Sequence, residues 1–403
     1  MADEQPEQQR QPREKPVDER GKHRPESAEN DNRDKSGNDR IANRLCVNEA
    51  LAVVCGHFAR NPGRVALRQS QDVGFILPHD AQQYVSRGRD IHRGRLPLRA
   101  AYYESFGPAA DVLRVDDLEK PVPATGEVLV RLHTSGINPS DVKKRAGSFP
   151  DLLDDGCVIP NSDGAGIIEA VGDGVSERRI GERVWVYQAQ YARRFGTAAE
   201  YVAVPTQRAP VLAAEASFEV GACLGIPVMT AHRCVFCDGD VRGQSVLVTG
   251  GAGRVGHYAI QWASQAGAHV IASASNDADA ATCEAAGAAV VVNHRADNFA
   301  ETVLRANHGD RVDRIVDVEF GANLQATLDV LRTSGTIATY SSTQVPEPAL
   351  PFFRMMYQDL TVRFVIVYAM PESAKARAIA DIDRALRSGQ LQHRIAATMP
   401  LDD

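Results

Sequence analysis

From residue 98 onward the chain carries short runs in which apolar and polar positions alternate. Residues 99–103, 127–133, 166–171 and 182–186 show this texture, and glycine- and proline-rich turns separate them. The pattern predicts a twisted β domain. After about residue 218 the texture changes. Apolar strand patterns at 245–249, 269–273, 289–292, 314–318, 336–340 and 360–368 alternate with helical patterns at 255–266, 278–286, 298–306 and 324–331. Strand–helix alternation of this kind predicts a parallel sheet covered by helices, so the fold class is α/β with a separate β domain ahead of it.

The chain before residue 98 reads differently. Residues 1–40 hold eleven Asp or Glu, nine Lys or Arg and four apolar residues. Such a segment buries too little apolar surface to offset its ordering entropy and is expected to be disordered. Residues 41–97 are mixed, with apolar clusters at 51–55 and 73–77 interrupted by Arg, Gly and Pro, and the pattern assigns them no fold. Nothing there supplies an element that the β domain needs, so residues 1–97 read as a dispensable extension.

Composition narrows the function classes. The 403 residues are 43% hydrophobic and 24% charged, enough for two or three ordinary globular domains. A net charge of −7 argues against a nucleic-acid-binding surface. No run is apolar enough to span a bilayer, and the opening residues lack the apolar stretch of a secretory leader. Seven cysteines at irregular spacing fit free thiols in a reducing compartment, hence the cytoplasm.

The sharpest chemical signal is residues 245–256, Ser-Val-Leu-Val-Thr-Gly-Gly-Ala-Gly-Arg-Val-Gly. A buried strand runs into Gly251-x-Gly253-x-x-Gly256 and then into an amphipathic helix, with a second strand after it. The glycines let the backbone turn tightly and approach a pyrophosphate, and the helix N-terminus supplies free N–H groups and a favourable dipole. The pattern therefore predicts a dinucleotide site. The second strand ends Ala272-Ser273-Ala274-Ser275-Asn276 with no carboxylate at its tip, while Asp277 and Asp279 follow in the next helical pattern. Small polar residues leave room for a 2′-phosphate, which favours NADPH over NADH.

Seven motifs in order carry a resemblance to a known family: GINPSDVKKRAG (136–147), IPNSDGAGIIEAVGDGV (159–175), GERVW (181–185), AAEYVAVP (198–205), LGIPVMTAHR (224–233), VLVTGGAGRVGHYAIQWA (246–263) and VNHRADNF (292–299). Residues 98–403 resemble the zeta-crystallin branch of the medium-chain dehydrogenases/reductases. The resemblance implies a GroES-like substrate domain at 98–220, a Rossmann NADPH-binding domain at 221–370 and a return to the substrate domain at 371–403, which stops short of the relatives' last elements. It implies cofactor contacts from Gly251, Ala252, Gly253, Arg254, Val255 and Gly256, from Ser275 at the adenosine ribose, from His294 near the adenine, and from Asn323, Ser341 and Ser342 toward the nicotinamide. It places Asn138 and Asp141 in the substrate cleft, with Asn138 able to donate to a carbonyl oxygen. Where members of the family commonly carry Tyr, this chain has Lys143.

The resemblance also implies what is missing. Zinc-dependent relatives place cysteine and histidine ligands where this chain reads Ile137-Asn138-Pro139 and Asn161-Ser162-Asp163. These side chains do not make the soft or imidazole tetrahedron that zinc prefers. Cys234 and Cys237 form the only CxxC pair and read as helical thiols. The expected activity is a metal-free NADPH-dependent reduction of quinones or other conjugated carbonyls, in which a delocalised acceptor lowers the demand for acid catalysis. An enoyl or alkenal double-bond reductase is the alternative within enzymes, and a non-catalytic NADPH-binding protein the alternative outside them. The apolar run at 360–368 is expected at the edge of the sheet, pairing two copies into a homodimer or a homotetramer.

Overall fold

The computed structural model describes residues 97–402 and the backbone of residues 74–78. The disorder expected of residues 1–40 lies outside the described residues. The β domain is a mixed sheet in the order β14-β1-β4-β5-β6, with β7 also on β4. Its strands are β1 (Gly74–Pro78), β4 (Glu127–Ile137), β5 (Asp163–Val171), β6 (Arg183–Val186), β7 (Tyr201–Pro205) and β14 (Ile395–Thr398), while β2 (Pro97–Tyr102) and β3 (Arg114–Glu119) form a separate antiparallel pair. Alternate residues Val128, Val130 and Leu132 of β4 meet Ile168, Val184, Val202 and Val204 in the core of this domain. That is the period of two read from the sequence.

The second sheet is parallel throughout, in the order β10-β9-β8-β11-β12-β13. It comprises β8 (Ser245–Val248), β9 (His269–Ala274), β10 (Val290–Asn293), β11 (Val312–Asp317), β12 (Leu331–Thr339) and β13 (Thr361–Phe364). Helices cover both faces. Val246 and Val248 pack toward the helices Met229–Phe236 and Arg254–Gln265, and Leu247 between them packs the opposite way toward the helix Phe320–Val330. All four residues of β8 are buried, so the strand reads as a continuous apolar run. Each of its valines contributes on the order of 1.5–3 kcal/mol by burial. This is the Rossmann doubly wound arrangement, joined to a GroES-like β domain. The outer strand is shorter than the apolar run at 360–368: β13 ends at Phe364, and a 3₁₀ turn, Val367–Ala369, follows.

One segment before residue 98 lies in the β sheet. Gly74–Pro78 pairs antiparallel with the far end of β4, Phe75 opposite Ile137 and Pro78 opposite Thr134, and parallel with β14. The apolar cluster at 73–77 was visible, but its partners are remote in sequence, so no local pattern marks it as a strand. Among the described residues, β14 reaches the sheet only through β1. A chain beginning at Leu98 is therefore expected to lose both ladders. Its melting temperature should fall by about 3 °C or more, the scale of a 1 kcal/mol loss in a domain this large. An unchanged melting curve would remove β1 from the fold.

Candidate functional site

The switch point of the parallel sheet lies between β8 and β11, where the strand order reverses. Ligand crevices form at such points, beyond the carboxyl ends of the strands. Here the chain leaves β8 through the glycine-rich turn. Gly250 takes a φ of +60°, Ser273 fixes the turn by accepting from Gly250 N at its hydroxyl (3.0 Å) and from Gly251 N at its carbonyl (2.9 Å), and Gly253 caps the helix Arg254–Gln265. A Cβ on Gly256 would lie 2.3 Å from the Gly250 carbonyl oxygen, and one on Gly251 2.8 Å from Cys283 Sγ. Only glycine allows the strand to turn into the helix so sharply. The first-turn N–H groups of a helix have no partner within it. They stand beside two guanidinium groups: Arg254 Nη1 donates to Ile137 O at 2.8 Å, and Arg394 Nη1 to Ala252 O at 2.5 Å. A tight backbone cradle, a helix N-terminus and two fixed cations fit a dinucleotide diphosphate.

The other cofactor candidates line the same edge of the sheet. Ser275 follows β9, half-buried, and His294 lies exposed in the loop after β10 with its N–H on Ala274 O. Asn323 sits on the helix after β11, where its amide donates to the buried Asp317 carboxylate at 2.7 Å, alongside the Thr249 hydroxyl at 2.8 Å. Ser341 and Ser342 follow β12; Ser342 Oγ accepts from Gly321 N and donates to Val345 O. A feature that the strand pattern hides appears at Ser275. Asp279 comes from the next helix, Asp277–Ala285, and its carboxylate accepts from Asn276 Nδ2 at 2.7 Å and from Ser275 Oγ at 3.4 Å. The tip of β9 thus has a carboxylate beside it after all, supplied one helical turn later.

Across the crevice, Asn138 and Asp141 are both buried and lie together, and neither side chain is free. Asp141 Oδ2 accepts from Asn138 N at 2.8 Å, closing the first turn of the helix Pro139–Lys143, and its Oδ1 accepts from Ser162 Oγ at 3.3 Å. The Asn138 amide donates to Asp163 Oδ2 at 2.8 Å, which also accepts from Ile226 N at 2.8 Å. Burial pushes the Asp163 carboxyl up to about 7. Its stability contribution is therefore complete below its ordinary value of 3.8 and is lost as pH rises through about 7. Burial also raises Asp141, against the pull of Lys144. Lys143 is exposed and reaches over the crevice to Thr343 Oγ1 at 3.3 Å.

Sequence reasoning missed Lys144. Its ammonium is buried against Gln190, Ser162 and Tyr368. In Lys143-Lys144-Arg145 three cations in a row read as a solvated face, and the short helix gives no periodicity to separate the exposed first from the two buried ones. Tyr368 and Gln190 were missed for the same reason that β1 was: nothing local ties them to the crevice. Among the described residues, no group of three or more His, Cys, Asp or Glu side chains is placed to hold a metal ion, and no helix is long and apolar enough to cross a membrane.

Known proteins share this arrangement. Residues 124–216 match the alcohol dehydrogenase GroES-like domain family, and residues 255–384 match the zinc-binding dehydrogenase family. The quinone oxidoreductase of Homo sapiens is 31% identical over 253 residues, covering 62% of this chain and 74% of its own. The solved structure of a mycobacterial quinone oxidoreductase superposes with a TM-score of 0.68 at 27% identity, over 76% of this chain and 93% of its own. A mycobacterial structure complexed with NADPH gives 0.67 at 27% identity, over the same shares. With both halves matched, and with the glycine-rich turn at the switch point facing a GroES-like domain, the chain belongs to the quinone oxidoreductases of the medium-chain dehydrogenase/reductase family.

Proposed function

We infer that this oxidoreductase uses NADPH to reduce quinones or other conjugated carbonyls without a metal ion, in the cytoplasm. The observation that carries the reading is the pairing of a diphosphate cradle at residues 251–256 with a crevice whose opposite wall offers amide, hydroxyl and buried carboxylate groups. At the two positions where zinc-dependent relatives bind metal, Asn138 and Asp163 are bonded to each other and Ser162 to Asp141. Such a donor set is poor for zinc, and its members already satisfy one another. The described cysteines are free thiols, the form that a reducing cytoplasm maintains.

In this reading residues 98–220 form the substrate domain, 221–370 the cofactor domain, and 371–403 return to the first. Gly251, Ala252, Gly253, Arg254, Val255 and Gly256 hold the diphosphate, with Ser275 and His294 at the adenosine end. Asn323, Ser341 and Ser342 lie toward the nicotinamide. When bound, NADPH supplies the hydride. The protein's part is to fix the geometry: Thr249 and Asn323 hold Asp317 beneath the turn, and Lys143 on Thr343 bridges the two walls. The relative complexed with NADPH supports the choice of cofactor.

The reading has a direct test. Purified protein should oxidise NADPH with a panel of quinones, bind NADPH more tightly than NADH in a fluorescence titration, contain no stoichiometric zinc and be indifferent to EDTA. Asp279→Asn should raise NADPH affinity by roughly tenfold, since it removes a like charge beside the 2′-phosphate worth on the order of 1.4 kcal/mol. Preference for NADH, or one zinc per chain, would defeat the reading.

We also infer a homodimer, or a homotetramer of paired dimers, built on β13. That strand is the outer edge of its sheet; Phe364 (70% exposed) on it and Ile366 just after it are exposed, as are Phe352, Phe353 and Tyr357 on the preceding helix Phe352–Tyr357. An open edge with apolar neighbours needs cover. Light scattering should report at least a dimer. Phe364→Asp should yield monomers, whereas the inward Val365 (6% exposed) is a core position and unsuited to the test. A wild-type monomer at micromolar concentration would refute the pairing.

A further inference from the structure

One charge in the crevice is used neither by the cofactor turn nor by the cap at Asn138. Lys144 is only 5% exposed. Its Nζ donates to Gln190 Oε1 at 3.1 Å and lies 3.5 Å from both Ser162 Oγ and the Tyr368 hydroxyl. All three partners are neutral, and the ammonium also faces the Tyr368 ring at 5.2 Å. Among the described residues Lys144 makes no ion pair, although Asp141 and Asp163 act on it from a distance. An aliphatic side chain would fill this space without the cost of taking a charge out of water. The position therefore calls for a role that a charge alone performs.

Tyr368 gives the clue. It comes from the turn Val367–Ala369 on the cofactor side, is half-buried, and stacks on the exposed Tyr191 with ring centroids 5.0 Å apart. Its hydroxyl is 3.4 Å from Ser162 Oγ, which donates onward to Asp141. Lys144, Ser162, Tyr368 and Asp141 thus form one cluster of exchangeable protons, of which Tyr368 is the least buried member. The geometry points to Tyr368 as the proton donor to the reduced acceptor, with Lys144 behind it as the positioning residue that returns the proton.

The inference rests on the reductase reading. Hydride addition to a quinone or enone leaves an oxyanion one proton short. The O–H bond of Tyr368 breaks as the acceptor oxygen gains its proton, and the phenolate then takes a proton from the Lys144 ammonium. The neutral amine recovers its proton from water once product leaves, so no further oxidant or reductant enters. Burial holds the Tyr368 phenol up at about 12 and keeps it protonated at neutral pH, while burial lowers Lys144. The groups that face this pair are Asp141 from the helix, Asp163 from β5, Arg254 from the glycine-rich turn, and Tyr103 beyond Gln190.

The test uses the full chain with Lys144→Met and Tyr368→Phe, and two readouts. The first is para-nitrophenol, an oxyanion probe that needs no turnover. Bound to the wild type, its pKa should fall by about one unit, an interaction of ordinary charge-pair size, and should return to its solution value in Lys144→Met. The second is NADPH-dependent quinone reduction across pH. Both variants should lose roughly a hundredfold in kcat, the lower range for a general acid, with KM changed by less than about threefold. Lys144→Met should also lose the alkaline limb of the profile. Variants that keep wild-type kcat and pH dependence, or a wild type that leaves the probe's pKa unmoved, would overturn the inference. A wild type inert toward every quinone, yet lowering the probe's pKa only when Lys144 is present, would sink the reductase reading while supporting the oxyanion site.

Discussion

Gly256 sits so close beneath the Gly250 carbonyl that no side chain fits between them. That single close approach organises the cofactor half of the molecule. It lets β8 end and a helix begin within a few residues, which brings the helix N-terminus to the point where the strand order reverses. The sheet supplies the position and the helix the field: its aligned dipole concentrates positive potential where an anion arrives. Ser273, from the neighbouring strand, locks the turn with its hydroxyl and its carbonyl, so the cradle is preformed.

The opposite wall obeys a different constraint. Two carboxylates and an ammonium lie within a few residues' reach of Asn138, all out of water. Removing an ion from water costs several kcal/mol, and only good local bonding offsets it. Asp163 has two donors on one oxygen and none on the other, and its bare oxygen rests against Gly225, where a Cβ would come within 2.0 Å. With one oxygen bare and both out of water, the carboxyl is pushed up to about 7. Asp141 is better served, with a backbone donor and a hydroxyl, and closes its helix turn at the same time. Polar networks of this kind fix geometry more than they add stability.

Local chemistry was legible in the sequence, and long-range pairing was not. The glycine turn, the strand before it and the helix after it could be read because their physics is contained in twelve consecutive residues. The six parallel strands followed from period and length. Asn138 and Asp141 were found as neighbours, yet their engagement with Asp163 and Ser162 depends on β4 and β5 lying side by side, which no local pattern reveals. Asp279 reached Ser275 through a helical turn that reading only the strand's tip overlooks. Lys144 was hidden by its charged neighbours, since its burial depends on what packs over it from residues 162, 190 and 368.

The placement of β1 bears on how the chain reaches its native state. Gly74 lies opposite Ile395, so the ladder that completes the β domain joins one of the earliest described segments to one of the last. The cost of closing such a long loop is met only when the intervening Rossmann half has already shortened the path between the ends. Assembly of this protein is therefore ordered in time. The cofactor half serves as the template that brings the two distant strands within reach.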